Sequence, residues 1–499
     1  MKQFHSSDIR NFAIVGHGSS GKTSLSEAFL KLGGEINRFG SIEDGSTVSD
    51  YHPAEKSRQI SIHSTPLHME WGGKKFNIID TPGYSDFIGE SLGSLGVVDL
   101  ALISIHAVNG IEVCTETMWA HATNLGIPKM LVVNGLDREH TKFEEILTQA
   151  KKRFGDNVFP MQIPVNPGPG YNQNVDVLRN ELITYNNDSS GKIEESPLPE
   201  NFQKEVKHLH EGLIEYVAES DDNLLEKFFE QGGLTEEEMR EGIHKAIQDQ
   251  TFVPLFCTSA TSNVGVRRLC DFIAKYGSSP DDRKAIIAHD NKGEDIKVSL
   301  DGKETVLQIF KTMSESHLGE LSLFRIYSGS VKTGKDYYNT NRNTSERFGQ
   351  MFLMNGKNRT LVEELFAGDI AGVVKLKDTH TGNTLCSGSH VTLPKLDLPS
   401  PNIHSAIVSD SKGDEEKLAV GLATLHEEDP TFVYRVDNEV KQTIISGQGE
   451  LHLTVTTERL KRRFGISIGL EKVKVPFRET ITTKGSAKYR HKKQSGGAG

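Results

Sequence analysis

The 499-residue sequence predicts a multi-domain protein of α/β and β class: a phosphate-loop domain on a parallel sheet with an inserted helical subdomain, then an all-β domain, then a small α+β domain. Three observations predict it. The apolar run Phe12-Ala13-Ile14-Val15 leads into a glycine-rich loop and a helical stretch. Four later apolar runs each end at polar residues and alternate with helical segments, the pattern of a parallel sheet whose ligands sit at the carboxyl ends of the strands. Beyond Lys297 short alternating runs and turns take over, and a mixed helix-and-strand stretch follows Pro399.

The glycine-rich loop is Gly16-His17-Gly18-Ser19-Ser20-Gly21-Lys22-Thr23, with the GxxxxGK[ST] spacing. Glycines let backbone N–H groups converge on α- and β-phosphates, Lys22 reaches the β/γ oxygens, and the Thr23 hydroxyl can ligate Mg²⁺. The helix from Ser24 to Leu32 turns its positive N-terminal end to the same phosphates. This pattern predicts a nucleoside triphosphate site.

Phe76-Asn77-Ile78-Ile79 runs into Asp80-Thr81-Pro82-Gly83. A strand-end carboxylate at Asp80 suits Mg²⁺ held through a water, and Gly83 frees a backbone N–H for the γ-phosphate. Leu100 to Ile105 ends at His106-Ala107, and Met130 to Val133 ends at Asn134-Gly135-Leu136-Asp137. The Asp137 carboxylate can accept from both N1–H and N2–H₂ of guanine, which adenine does not offer. Val253 to Phe256 ends at Cys257-Thr258-Ser259-Ala260, and the motif order makes Ser259 and Ala260 part of the same guanine site. Bound GTP or GDP with Mg²⁺ is the expectation.

A net charge of −11 argues against diffuse nucleic-acid binding, DNA included. No run approaches ~18 apolar residues, and Met1-Lys2-Gln3-Phe4-His5 is no signal peptide, so a cytoplasmic, monomeric protein without a membrane partner is expected. Four scattered cysteines and 19 histidines lack metal-ligand spacing. Basic clusters remain at Lys461-Arg462-Arg463 and from Lys484 to Lys493. Glu200 to Gln250 is helical in pattern and acid-rich, interrupting the first domain before Ser259. The expected divisions are 1–283 for the nucleotide domain (about 157–250 inserted), 284–398, 399–478 and 479–499.

These residues resemble the translational GTPases, and the rest of the chain is similar to elongation factor G. Arg58-Gln59-Ile60-Ser61-Ile62 sits where that family has its RGITI switch segment. Phe310-Lys311-Thr312-Met313, the run Gly319 to Gly329 and Ala367-Gly368-Asp369-Ile370 resemble its second domain, a β-barrel. Glu428-Asp429-Pro430 and Ile445 to Leu453 resemble its third domain, for which a ferredoxin-like fold is implied. The resemblance implies a ribosomal partner (rRNA and ribosomal proteins), GTP hydrolysis with Lys22, Gly83 and Tyr84 at the chemistry, and Mg²⁺ held by Thr23, Ser61 and Asp80.

Four positions depart from the family pattern. Tyr84 stands where the family has the His that positions water, and a phenol with an ordinary pKa near 10 is a poor base. Gly135 replaces a Lys whose stem covers the guanine, Ser61 replaces Thr, and Ser19 replaces Asp. These departures point to an elongation factor G-like paralogue. Gln494 to Gly499 resembles the motif that opens the family's fourth domain, so a chain cut at that domain's start is expected.

Overall fold

The structure is a computed structural model describing residues 4–283, 285–315, 319–388, 390–409, 413–491 and 496. Lys492, Lys493 and the terminal motif, apart from Gly496, lie outside the described residues.

The first domain is a seven-stranded sheet in the order Thr65–Trp71, Lys74–Asp80, Ile9–Gly16, Leu100–His106, Lys129–Asn134, Val253–Thr258 and Val158–Pro160. All neighbours are parallel except the first pair. Side chains alternate across the sheet. Ala13 and Val15 enter one core, covered by Ile88–Gly96, Val113–Asn124 and Phe143–Phe154, while Phe12 and Ile14 enter the other, covered by Lys22–Leu32 and Val266–Tyr276. The helix Val266–Tyr276 shows why: Val266, Leu269, Cys270, Phe272 and Ile273 recur at helical spacing and are all buried.

The insertion contains more than helices. Helices Glu200–Ala218, Asp222–Gln231 and Glu236–Gln248 stand beside a four-stranded antiparallel sheet running from Gln162–Pro164 through Gln173–Asp176 and Glu181–Tyr185 to Ile193–Pro197. These strands are short and carry many polar residues, so their apolar alternation is weak. The acidic run Glu236-Glu237-Glu238 has a local cause. Thr235 caps the helix by accepting from the Glu238 N–H, and carboxylates in a first turn complement the helix dipole. Arg268, buried on the nucleotide domain, fastens the insertion by ion pairs to Glu181 (2.8 Å) and Glu195.

The second domain carries an eight-stranded antiparallel sheet built on the long strands Val306–Glu315 and Gly319–Ser328, wrapped around Leu307, Ile309, Phe324, Ile326 and Phe348. The third domain runs strand Ile403–Ser409, helix Glu415–Glu428, strands Val433–Asp437 and Gln442–Gly447, helix Glu450–Phe464, strand Ile468–Glu471. Its sheet places the first and third strands at the centre, the ferredoxin-like arrangement. From Lys474 to His491 the chain forms neither helix nor strand and its side chains are exposed.

A buried polar chain fixes the second domain to the first. Lys75 Nζ pairs with Asp369 at 2.7 Å, and Asn77 donates to both Asp369 (3.0 Å) and Asn11 (2.8 Å). Asn11 donates to Asp99 (2.9 Å), which pairs with Arg325 at 2.7 Å. The Arg325 and Asp99 side chains are each 1% exposed, and Arg325 also donates to the Val97 carbonyl at 2.7 Å. Removing one partner of such a pair strands a buried charge. Asp99→Ala should therefore cost about 3–5 kcal/mol, whereas replacing the pair together by apolar residues should cost far less. Urea unfolding followed by a second-domain probe reads both.

Candidate guanine-nucleotide site

Strand Ile9–Gly16 delivers the loop Gly16 to Thr23 to the amino end of helix Lys22–Leu32. Lys22 is buried, and its ammonium donates to the Gly16 carbonyl (3.1 Å) and the His17 carbonyl (2.7 Å). Burial pushes its pKa down to about 8. Ser19 holds a left-handed φ of 62°, His17 Nδ1 accepts from the Cys114 N–H (3.4 Å), and the Ser20 carbonyl accepts from Ser104 (2.8 Å).

Asp80 ends its strand fully buried, with neither carboxylate oxygen in a hydrogen bond of good geometry. Burial raises its pKa, against the hydroxyls of Ser49, Thr23 and Ser26 and the charge of Lys22. The Thr23 and Ser61 hydroxyls lie 3.1 Å apart. A second carboxylate, Asp50, joins them, its pKa raised to about 7 by burial first and by Asp80 next. Two buried, under-satisfied carboxylates among hydroxyls form a hard oxygen donor set that fits Mg²⁺. Asp50 was not legible from any motif.

Thr81 donates to the Ile14 carbonyl (2.7 Å), and the Pro82 carbonyl accepts from Ser91 (2.8 Å), so Asp80 to Gly83 is held from both sides. Gly83 presses on the loop: a Cβ there would lie 2.3 Å from Lys22 Nζ and 2.6 Å from the Gly18 nitrogen. Tyr84, 40% exposed, lays its ring over Gly18. A Cβ at Gly18 would come within 3.2 Å of that ring. Loop glycine and tyrosine therefore fit as a pair.

On the base side, Asn134 knits three segments. Its Nδ2 donates to the Ser20 (3.2 Å) and Gly21 (3.3 Å) carbonyls, and its Oδ1 accepts from the Ala260 N–H at 3.0 Å. Gly135 and Leu136 N–H groups both donate to the Thr258 carbonyl (3.0 and 3.2 Å), and Leu136 is buried. Asp137 accepts from Thr261 at 3.0 Å, and the Ser259 hydroxyl accepts from Ser262 at 2.7 Å. The residues singled out by sequence thus gather at the carboxyl ends of the sheet's inner strands.

The segment before Ser61 is ordered by a residue that no motif flagged. Glu55, fully buried in helix Pro53–Arg58, accepts from the N–H groups of His52 (3.1 Å), Ile62 (3.1 Å) and His63 (3.0 Å). Proline at the first helical position and Glu two residues later is a helix-start signature that would have found it. Gln59, at the glycine position of RGITI, takes a left-handed φ of 56°.

Residues 7–279 match the family model of the elongation factor Tu GTP binding domain, residues 305–388 that of elongation factor G domain 2, and residues 398–472 that of elongation factor G, domain III. The chain belongs to the elongation factor G family of translational GTPases. It is also similar to a crystal structure of a protein from Thermus thermophilus, at 29% identity and a TM-score of 0.85, over 94% of this chain and 68% of that one. Among the described residues no helix is long and apolar enough to cross a membrane.

Burial, then the Asp50 charge, pushes the Glu55 pKa up to about 8, above the ~4.3 of an exposed glutamate. Between those values the folded chain holds a proton that the unfolded chain has released. The stability contribution is therefore present at low pH and lost as pH rises toward 8. Without nucleotide, Glu55→Gln should lose less Tm, or gain more, than the parent between pH 5 and pH 8; differential scanning calorimetry reads the difference.

Proposed function

We propose that this chain hydrolyses GTP to GDP and phosphate on the ribosome in the cytoplasm, and that the phosphate state drives a domain movement linked to tRNA–mRNA translocation. One observation carries the reading. Asp86, two residues beyond Tyr84, accepts from the Leu451 N–H (2.9 Å) at the amino end of the third-domain helix Glu450–Phe464. The phosphate-sensing loop thus holds the helix of another domain by its amino end. Arg58 reinforces the link from the other switch by pairing with Glu458 at 2.5 Å, and Ala54, Ile62, Phe87 and Val455 share one apolar cluster.

In this reading Thr23, Ser61 and Asp80 hold Mg²⁺, which when bound neutralises phosphate charge. Lys22 and the loop N–H groups bind the phosphates. The Gly83 N–H orients the γ-phosphate, and its loss frees the loop. Attack by water breaks the bond between the bridging oxygen and the γ-phosphorus. Tyr84 lies over Gly18, next in the chain to the Gly83 that faces Lys22, and holds that water by a hydrogen bond. Asn134, Gly135, Leu136, Asp137, Ser259 and Ala260 take the guanine.

The Tyr84 side chain favours a second reading, a slow GTP-dependent ribosome-docking regulator or a ribosomal-protection-type protein, because a phenol is a poor proton acceptor at neutral pH. GTP turnover by the chain with and without ribosomes separates the two. Strong stimulation supports the first; tight GTP-dependent docking with little turnover supports the second. Tyr84→His should raise kcat roughly tenfold or more with little change in nucleotide affinity. Tyr84→Phe as fast as the parent would leave the hydroxyl no chemical role.

A further inference from the structure

Gly135 turns at φ 87°, in the left-handed region where a side chain is strained, and it leaves the floor beside Asp137 without cover of its own. The cover comes from three residues on. The Arg138 N–H donates to the Gly135 carbonyl at 3.1 Å, closing a turn that folds the Arg138 stem back over Gly135. Arg138 Cδ and Nε lie 3.6 Å, and Cγ 4.0 Å, from where a Gly135 Cβ would stand. The stem therefore lies in van der Waals contact with the position a residue-135 side chain would start from.

His106, at the end of strand Leu100–His106, has its pKa lowered by burial first and by the Arg138 charge next. Glu43, in the segment that leads to Asp50, is lowered mainly by the Ser41 hydroxyl and also feels Arg138. The Arg138 charge thus reaches side chains of two other segments, while its stem lies against Gly135, two residues before Asp137. It is exposed, and among the described residues it makes no ion pair with a carboxylate. A planar guanidinium stacks on aromatic faces and loses little water in doing so, which makes it a fitting lid for a purine.

We propose that Arg138 is the base-covering residue of this site: its stem and guanidinium pack on the face of the purine whose edge Asp137 reads. The proposal rests on the guanine reading above. It makes Arg138 a determinant of affinity for the base and leaves phosphate binding to the glycine-rich loop.

Isothermal titration of the full chain with Mg²⁺ present, using GDP, ADP and inorganic pyrophosphate, tests it. Arg138→Ala should weaken GDP binding roughly three- to thirty-fold. It should leave pyrophosphate affinity and the ligand-free Tm unchanged, and Arg138→Lys should recover part of the loss by keeping a cationic stem. GDP affinity unchanged in Arg138→Ala overturns the proposal. So does an equal loss for GDP and pyrophosphate, which would mean a charge acting on the phosphates, and so does a loss matched by a fall in ligand-free Tm, which would mean a turn residue. The parent's GDP-to-ADP ratio is read separately. Equal affinities there remove the guanine reading itself, whereas a strong GDP preference beside an indifferent Arg138→Ala removes only the role of Arg138.

Discussion

Around Asp80 the fold concentrates charge that it does not neutralise. Asp80 and Asp50 are both buried and raised in pKa, and Lys22 beside them is lowered to about 8 and spends its protons on loop carbonyls. Burying an ion is expensive unless it is paired and hydrogen-bonded. Two under-satisfied carboxylates and an ammonium bonded only to loop carbonyls in one cleft suit an anionic phosphate and, in the proposed reading, a divalent cation with it. The hydroxyls of Thr23 and Ser61, 3.1 Å apart on separate segments, tie the ordering of the 49–64 segment to that partner.

From this point the structure is a chain of short links. Glu55 gathers three N–H groups behind Ser61, and the Ser64 N–H (2.8 Å) and hydroxyl (2.6 Å) donate to Glu90 on helix Ile88–Gly96. Burial alone would raise the Glu90 carboxyl, but Lys311 and His63 beside it hold it well below the usual range. Lys311 belongs to the second domain, so one carboxylate joins Ser64 and helix Ile88–Gly96 to the β domain. Asp86 and Arg58 make the equivalent links to the third domain. The Arg325–Asp99 network seats the second domain on the sheet, which in the proposed mechanism leaves the third domain as the part that moves.

Much of this was legible in the sequence where chemistry is local. The loop Gly16 to Thr23, the Asp80 to Gly83 turn and the Asn134 to Asp137 pair are contiguous motifs at strand ends, and their backbone needs restrict residue choice. What stayed illegible depends on tertiary contact. Glu90 and Lys311 meet across 221 residues, and Asp50 matters only because the chain folds it onto Asp80. The strands Gln173–Asp176 and Ile193–Pro197 are too short and polar to announce themselves, and Val158–Pro160 reaches the main sheet only as its edge. Tyr84 reads as an anomaly until Gly18 is seen beneath its ring, where any side chain would crowd it.

In the proposed mechanism the phosphate state at Lys22 and Asp80 sets the order of distant backbone through Glu55, Glu90 and Asp86. Hydrogen exchange of the full chain, resolved to the amides of Ile62, His63, Ser64 and Leu451, measures this directly with Mg²⁺ and either GDP or a non-hydrolysable GTP analogue. These amides donate to the three carboxylates. They should be protected together with the analogue and exchange faster with GDP, while strand Leu100–His106 stays unchanged. Equal protection in the two nucleotide states would contradict the account.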